Sequence, residues 1–162
     1  MRTLLLLLAL GASLPAFAQQ YLVVCSEASP EGFDIVQYTA ATTTAATAET
    51  VYERLVQFAP GSTRIIPALA ESWEISADGL TYTFTLRKGV KFHQTPWSTP
   101  SRELNADDVL WSFQRQRDKD HDWHELAPRG FPYFEAMGFA ELIAEIEALD
   151  EHRVRFTLKH PE

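Results

Sequence analysis

The side chains best suited to metal chemistry lie in a charged run in the second half of the chain. His121 and His124 are three residues apart, and acidic residues flank them at positions 120, 122 and 125. On a helix this spacing could bring two imidazoles to one face, where a divalent cation could bind. However, Trp123 lies inside the run, and no third and fourth ligands recur at a typical spacing. We therefore predict a solvated surface segment without a metal.

Paired carboxylates suggest a second kind of chemistry, general acid–base catalysis. Asp107 and Asp108 are adjacent, but Asn105 precedes them and an apolar stripe follows, which is typical of a capped helix start. The sequence has no Gly-x-Ser-x-Gly elbow for a nucleophile and no glycine-rich phosphate loop. We therefore predict a protein that is not an enzyme and that needs no cofactor.

Residues 69–92 carry the clearest strand pattern in the chain. Trp73 and Ile75 alternate with polar residues. Asp78 and Gly79 supply a turn, because Asp can bond its own backbone and Gly tolerates a positive φ. After the turn, large side chains alternate with threonines. The pattern predicts a hairpin with an apolar face made of Leu80, Tyr82, Phe84 and Leu86.

Other segments carry weaker patterns. Apolar residues recur at helical spacing after Ala48, and Thr47 could cap that helix. Residues 21–26 are typical of a buried first strand, and residues 153–158 alternate as a strand does. Helices and strands in this mixture predict an α/β or α+β fold. We interpret three further acidic residues as a solvated helix face, namely Glu141, Glu145 and Glu147.

The first 18 residues have the organisation of a cleavable secretory signal. Arg2 precedes an unbroken apolar run, and Ala16-Phe17-Ala18 fits the small-x-small pattern of a cleavage site. The run is shorter than the roughly 20 residues of a membrane-spanning helix. The whole chain has a net charge of −8. Because an acidic chain repels phosphate backbones, we expect no nucleic-acid partner.

Two blocks of residues together resemble a known family. The first is the hairpin, with Trp73, then Asp78-Gly79, then Tyr82, Phe84 and Leu86, and the second runs from Asn105 through two aspartates to Trp111 and Phe113. In this order they resemble the extracytoplasmic solute-binding proteins of peptide ABC transporters, the dipeptide- and oligopeptide-binding family. Shorter matches flank both blocks at residues 25–33, 52–56 and 133–138.

The resemblance implies a periplasmic binding protein-like type II fold, an α/β (mixed α+β) arrangement. It covers only the N-terminal portion of such proteins, so residues 19–162 would form an incomplete domain. They would comprise the start of lobe I and most of its inserted hairpin-rich subdomain. The implied protein is a periplasmic monomer that captures short peptides in an interlobe cleft and delivers them to membrane permease subunits.

Other functions stay open within the same superfamily. The alternatives are a binding protein for haem, a nickel complex or an oligosaccharide, and a chaperone or sensor domain. In relatives, the loop after the first strand lines the cleft, which implies a contact role for small residues that let a peptide backbone approach. The alternative is an ordinary loop leading to a helix cap. The residues concerned are Thr39, Ala40, Ala41, Thr42 and Thr43.

Cys25 is the single cysteine of the sequence. Exported cysteines tend to pair, so a lone thiol is unusual after export. One interpretation is a buried free thiol in the first strand. The other, implied by the resemblance, is a disulfide whose partner lies outside this chain.

Overall fold

A computed structural model describes residues 22–48 and 50–162. The predicted signal peptide, residues 1–18, lies outside the described residues. None of the helices in the described part has the length and apolarity that a bilayer crossing requires. The helices are α1 (Ala41–Thr47), α2 (Ala106–Arg117), α3 (Pro132–Ala136) and α4 (Phe139–Leu142). The strands are β1 (Val56–Phe58), β2 (Ile65–Pro67), β3 (Ala70–Ile75), β4 (Thr81–Leu86), β5 (Ile143–Asp150) and β6 (Arg153–Leu158).

A four-stranded antiparallel sheet is the centre of the fold, with strand order β3-β4-β6-β5. The predicted hairpin is confirmed, because β3 and β4 pair with Trp73 opposite Phe84 and Ile75 opposite Tyr82. Its turn has the expected chemistry. The Asp78 carboxylate accepts hydrogen bonds from the Ser76 hydroxyl at 2.5 Å and from the Leu80 amide at 3.0 Å. Strands β1 and β2 form a separate two-stranded ribbon.

Helix α2 covers one face of this sheet. Its Ala106 and Val109 pack into a core with apolar residues from β4, β5 and β6. Phe156 of β6 joins the two layers, since its ring meets Phe84 edge-on at 5.7 Å and Phe113 of α2 at 5.0 Å. The core residues of this cluster on the sheet side are Leu86, Ile143, Ile146, Val154 and Phe156.

The N-terminus of α2 confirms the predicted cap. The Asn105 side chain accepts a hydrogen bond from the Asp107 amide at 3.1 Å, and Asp108 Oδ2 accepts one from the Asn105 amide at 2.9 Å. This reciprocal capping box satisfies backbone donors that have no partner within the helix. Arg102 donates to both oxygens of Asp108, at 2.7 and 2.9 Å. The Asp108 carboxylate therefore has the expected capping role, and the exposed Asp107 lies in the first turn of α2.

The predicted helix face at Glu141, Glu145 and Glu147 is wrong, because the helix ends at Leu142 and strand β5 begins at Ile143. The pairing of β5 with β6 shifts register between Ile143 and Glu145. Such a bulge resets the two-residue alternation of a strand. It therefore buries Ile143 and Ile146, which are three residues apart, on the same face. Because a spacing of three residues is also typical of the apolar face of a helix, the sequence pattern led to a helix prediction.

The helix predicted from Ala48, with Thr47 as its N-cap, is also wrong. Thr47 is the last residue of α1, and Ala48 is its C-cap. The small-residue stretch predicted as a loop is thus helical from Ala41 onward, although only its alanines, and not its threonines, have a high helix propensity. Thr43 and Thr47 are both fully buried, and the Thr47 hydroxyl donates to the Thr43 carbonyl at 2.6 Å. The Thr47 hydroxyl is therefore satisfied within the helix turn, whereas the Thr43 hydroxyl accepts a hydrogen bond from the Glu31 amide of the preceding loop.

The predicted buried strand over residues 21–26 is wrong where the structure describes it. Residues 22–26 form no strand, and Leu22, Val23 and Val24 are largely exposed. A strand needs a neighbour to satisfy its backbone donors and acceptors. The strands described in this chain pair only with one another, so they provide no neighbour for this segment.

Candidate functional site

The candidate contact residues 39–43 lie at the start of α1. Thr39 precedes the N-cap residue Ala40, and Ala41 is the first helical residue. The Thr39 and Ala41 side chains are exposed, and Ala40 and Thr42 are half-buried. This stretch therefore presents small side chains and accessible backbone to solvent. Their contact with a ligand stays a prediction.

Thr43 has a different environment from the other four residues. Its side chain has 0% exposure, and its hydroxyl oxygen accepts a hydrogen bond from the Glu31 amide at 2.9 Å. This bond ties the start of α1 to the preceding loop. In the structure described here the Thr43 hydroxyl is thus committed to an internal contact.

The loop before the candidate contact residues is anchored to helix α2 by an ion pair. Arg115 Nη2 lies 2.5 Å from Asp34 Oδ2, and the same carboxylate oxygen accepts a hydrogen bond from Gln37 Nε2 at 2.7 Å. Arg115 Nε donates to the Trp123 carbonyl at 3.2 Å. The guanidinium also lies over two aromatic rings, 5.9 Å from the Trp111 centroid and 5.6 Å from the Phe131 centroid. Sequence reasoning did not identify this pair, because 81 residues separate its members.

Further contacts reach the same loop from other directions. The Tyr52 hydroxyl donates to the Phe33 carbonyl at 2.7 Å, and the Tyr133 hydroxyl donates to the Thr39 carbonyl at 3.4 Å. Arg129 lies over the Tyr38 ring at 5.2 Å. Loop residues 33–39 are thus held from both sides by side chains that belong to other segments.

The charge of Asp34 is favoured by its partners. Burial alone would raise the pKa of its carboxyl, but the hydrogen bonds from Arg115 and Gln37 and the Arg115 charge outweigh burial and lower it. The Tyr52 pKa is raised by burial and by the nearby Asp34 charge. The carboxylate is therefore the ionised partner over the whole neutral range.

Acidification is expected to release the loop. Because the folded-state pKa of Asp34 is below its unfolded value, its contribution is complete above the unfolded value, about 3.9. It is lost as the pH falls through the lowered folded pKa. We expect the amide resonances of residues 34–47 to stay constant from pH 8 to 5 and to shift together at lower pH. In an NMR titration, Asp34→Asn should remove that transition, whereas Asp108→Asn should leave it. A transition that persists in Asp34→Asn would contradict this assignment.

The two histidines considered as metal ligands make local contacts instead. His121 Nδ1 accepts a hydrogen bond from the Trp123 amide at 3.1 Å. His124 Nδ1 lies 2.8 Å from the Arg115 carbonyl, to which it donates in the appropriate tautomer. Within residues 22–48 and 50–162, no group of three or more His, Cys, Asp or Glu side chains is arranged to hold a metal ion.

Cys25 is exposed in the described structure and forms no disulfide there. The interpretation as a buried thiol is therefore wrong, and pairing with a cysteine outside this chain stays a prediction. A cavity of about 440 Å³ lies elsewhere, between residues 48–57 and the start of β3. Arg87 and Glu53 in its wall form an ion pair at 2.9 Å. None of the candidate contact residues lines this cavity.

Comparison with known proteins assigns this chain to a family. The sequence model of the bacterial extracellular solute-binding proteins, family 5 (middle region), matches residues 64–162, which is more than half of the chain. The chain belongs to this family. The matched region includes the four-stranded sheet, α2 and the loop that contains the two histidines. The family resemblance of the hairpin and the capped helix is thereby confirmed.

Individual relatives support the assignment. The chain is 60% identical over its whole length to Di/tripeptide-binding protein 4 of Pseudomonas aeruginosa, of which it spans 31%. It is 52% identical over 84% of its length to Heme-binding protein A of Haemophilus influenzae, of which it spans 25%. Among solved structures, it is similar to the dipeptide-binding protein of Pseudoalteromonas sp. SM9913 in complex with Met-Leu. That match has a TM-score of 0.81 at 41% identity and covers 85% of this chain and 27% of the other.

The structural match confirms the predicted fold class. The mixed α/β arrangement corresponds to part of a periplasmic binding protein type II fold. The chain spans about 31% of the length of the Pseudomonas relative. The match therefore corresponds to only one portion of that relative.

Proposed function

We propose that this chain is part of the extracytoplasmic substrate-binding component of a peptide ABC transporter, and that its ligands are short peptides, in particular dipeptides. The observation that carries the proposal is the similarity to a solved dipeptide-binding protein in complex with Met-Leu, at 41% identity and a TM-score of 0.81. The Pseudomonas relative, whose name describes a di/tripeptide-binding protein, supports the same ligand class.

The proposed mechanism is hinge closure of two lobes around the peptide, followed by delivery to permease subunits in the inner membrane. The protein is exported to the periplasm by a cleaved signal over residues 1–18, acts as a monomer and catalyses no reaction. This chain supplies one wall of the cleft. The exposed Thr39 and Ala41 and the half-buried Thr42 are suited to generic peptide recognition, because small side chains let the backbone of the ligand approach.

The proposal can be tested by a chimera, because this chain spans only about a third of its relatives. Residues 1–162 are joined to the remaining part of the Pseudomonas relative and compared with that relative itself by calorimetry. We expect the chimera to bind dipeptides with a Kd within about tenfold of the intact relative, which is about 1.4 kcal/mol. The 162-residue chain alone should bind weakly or not at all, since it supplies only part of the cleft.

Matched variants sharpen the chimera test. Thr42→Val removes a hydroxyl from the candidate wall and should weaken peptide binding about two- to tenfold, the range of one hydrogen bond. Thr63→Val removes an exposed hydroxyl outside the wall and should have no effect. A chimera that melts cooperatively but takes up no dipeptide or tripeptide would refute the proposed function.

Haem is the second candidate ligand. The specific observation in its favour is the 52% identity to a relative named as a heme-binding protein. The same chimera, titrated with haem and followed by absorbance, tests it directly. Haem binding without peptide binding would favour this candidate over the first.

A further inference from the structure

Residues 33–38, which lead into the candidate contact residues, contribute few buried side chains of their own. Only Gln37 is buried among them, and Val36 packs partly against a small cluster that contains Phe131 and Phe134. The 3₁₀ turn at Ile35–Gln37 is only three residues long. Hydrophobic burial is therefore too small to fix the position of this segment, and polar contacts must do so.

Arg115 is the side chain best placed to fix the position of residues 33–38. It lies in the last turn of α2, and the first turns of the same helix pack on the sheet through Ala106 and Val109. Its side chain is only 13% exposed. The Trp111 and Phe131 rings and the Trp123 carbonyl hold the guanidinium, so one Nη2 donor is directed at Asp34. A rigid helix is thereby connected to an otherwise weakly packed loop.

The connection continues from Asp34 to the candidate contact residues. The Asp34 carboxylate also binds Gln37 within the 3₁₀ turn, and Thr39 follows two residues later. A displacement of Asp34 would therefore move the chain that enters α1. The Glu31 amide also donates a hydrogen bond to the Thr43 hydroxyl. The candidate contact residues are therefore held both just before Thr39 and at Thr43.

We propose that Arg115 is a positioning residue for the ligand-contacting segment: through Asp34 it holds residues 39–43 in the geometry that receives a peptide. This inference rests on the proposed function. It assigns part of the peptide affinity to an ion pair that touches no ligand. Because Asp34 is more exposed than Arg115, breaking the pair lets the carboxylate hydrate, so the effect should be local to the segment.

The first arm of the test needs no peptide. Hydrogen exchange is measured on the 162-residue chain and on its Arg115→Met and Asp34→Asn variants. We expect amides of residues 34–47 to exchange about tenfold faster in both variants, the effect of losing one charge-assisted hydrogen bond. Amides of β4 and β6 should keep their rates. The double variant should resemble either single one, because both changes remove the same contact.

A conservative pair separates charge from shape. Asp34→Glu keeps the carboxylate and should restore slow exchange at least in part, whereas Asp34→Asn keeps the size but loses the charge. If only shape mattered, the order of the two variants would be reversed. Arg102→Gln is the matched control, because Arg102 pairs with Asp108 at the other end of α2. It should leave residues 34–47 unchanged.

The second arm measures peptide affinity in the chimera. We expect Arg115→Met and Asp34→Asn to weaken dipeptide binding about tenfold and Arg102→Gln to leave it unchanged. Unchanged exchange of residues 34–47, or equal acceleration throughout the sheet, would overturn the inference. So would unaltered affinity in a chimera that binds peptides. If the unmodified chimera binds no peptide, the proposed function fails, and the exchange arm still decides whether Arg115 positions the segment.

Discussion

Replacing Phe156 by Ala is expected to lower the free energy of unfolding by about 3–5 kcal/mol, the range for a large aromatic side chain in a core. Phe156 is only 7% exposed, and its ring contacts Phe84 within the sheet and Phe113 of α2. The variant therefore removes buried area and also the contacts that join the helix to the sheet. Urea unfolding of the 162-residue chain, followed by circular dichroism, measures the loss.

Two further variants test whether this loss has the stated cause. Phe58→Ala removes the same side chain from strand β1, where it is 62% exposed, and should cost less than about 0.5 kcal/mol. Phe156→Leu keeps most of the apolar volume and should cost about 1.5 kcal/mol or less. If Phe156→Ala and Phe58→Ala had equal effects, the core assigned to the sheet and α2 would be incorrect.

Replacing Asn105 by Ala is expected to destabilise the chain by about 1–2 kcal/mol, because it removes the N-cap of the longest described helix. The Asp107 amide then loses its acceptor, while the bond from the Asn105 amide to Asp108 remains possible. Thermal unfolding measures the loss, and helical circular dichroism should show whether the first turn frays.

Asn105→Ser is the matched variant for the cap, since Ser caps helices about as well as Asn. It should stay within about 0.5 kcal/mol of the original chain. Equal destabilisation by Ser and Ala would mean that the amide group of Asn105 has a role other than capping.

The parts of the fold that could be predicted from sequence depend on local chemistry. The Asp78-Gly79 turn and the Asn105 cap each involve contacts within a few residues, so their residue types were sufficient. The part of β5 that was misread depends on a register shift with β6. That shift is a property of the pair of strands, and the spacing of Ile143 and Ile146 alone cannot distinguish it from a helix.

The candidate site was only partly accessible to sequence reasoning. The resemblance indicated residues 39–43, but it did not distinguish the buried Thr43 from its exposed neighbours. The burial of Thr43 depends on the helix that these small residues form and on a bond from Glu31. The Arg115–Asp34 pair had no sequence signal at all, because the fold alone brings the two residues together.

The edges of the four-stranded sheet have a consequence for self-association. In the described part of the chain, β3 and β5 are the outer strands, and each contains a register irregularity. Exposed acidic residues also lie along both strands, at Glu71 and Glu74 and at Glu145. Irregular, charged edge strands disfavour the hydrogen-bonded pairing with strands of other molecules that leads to aggregation. Edge-to-edge pairing between the sheets of two molecules is thus disfavoured. The exposed Leu22, Val23 and Val24, by contrast, carry no charge that would disfavour association.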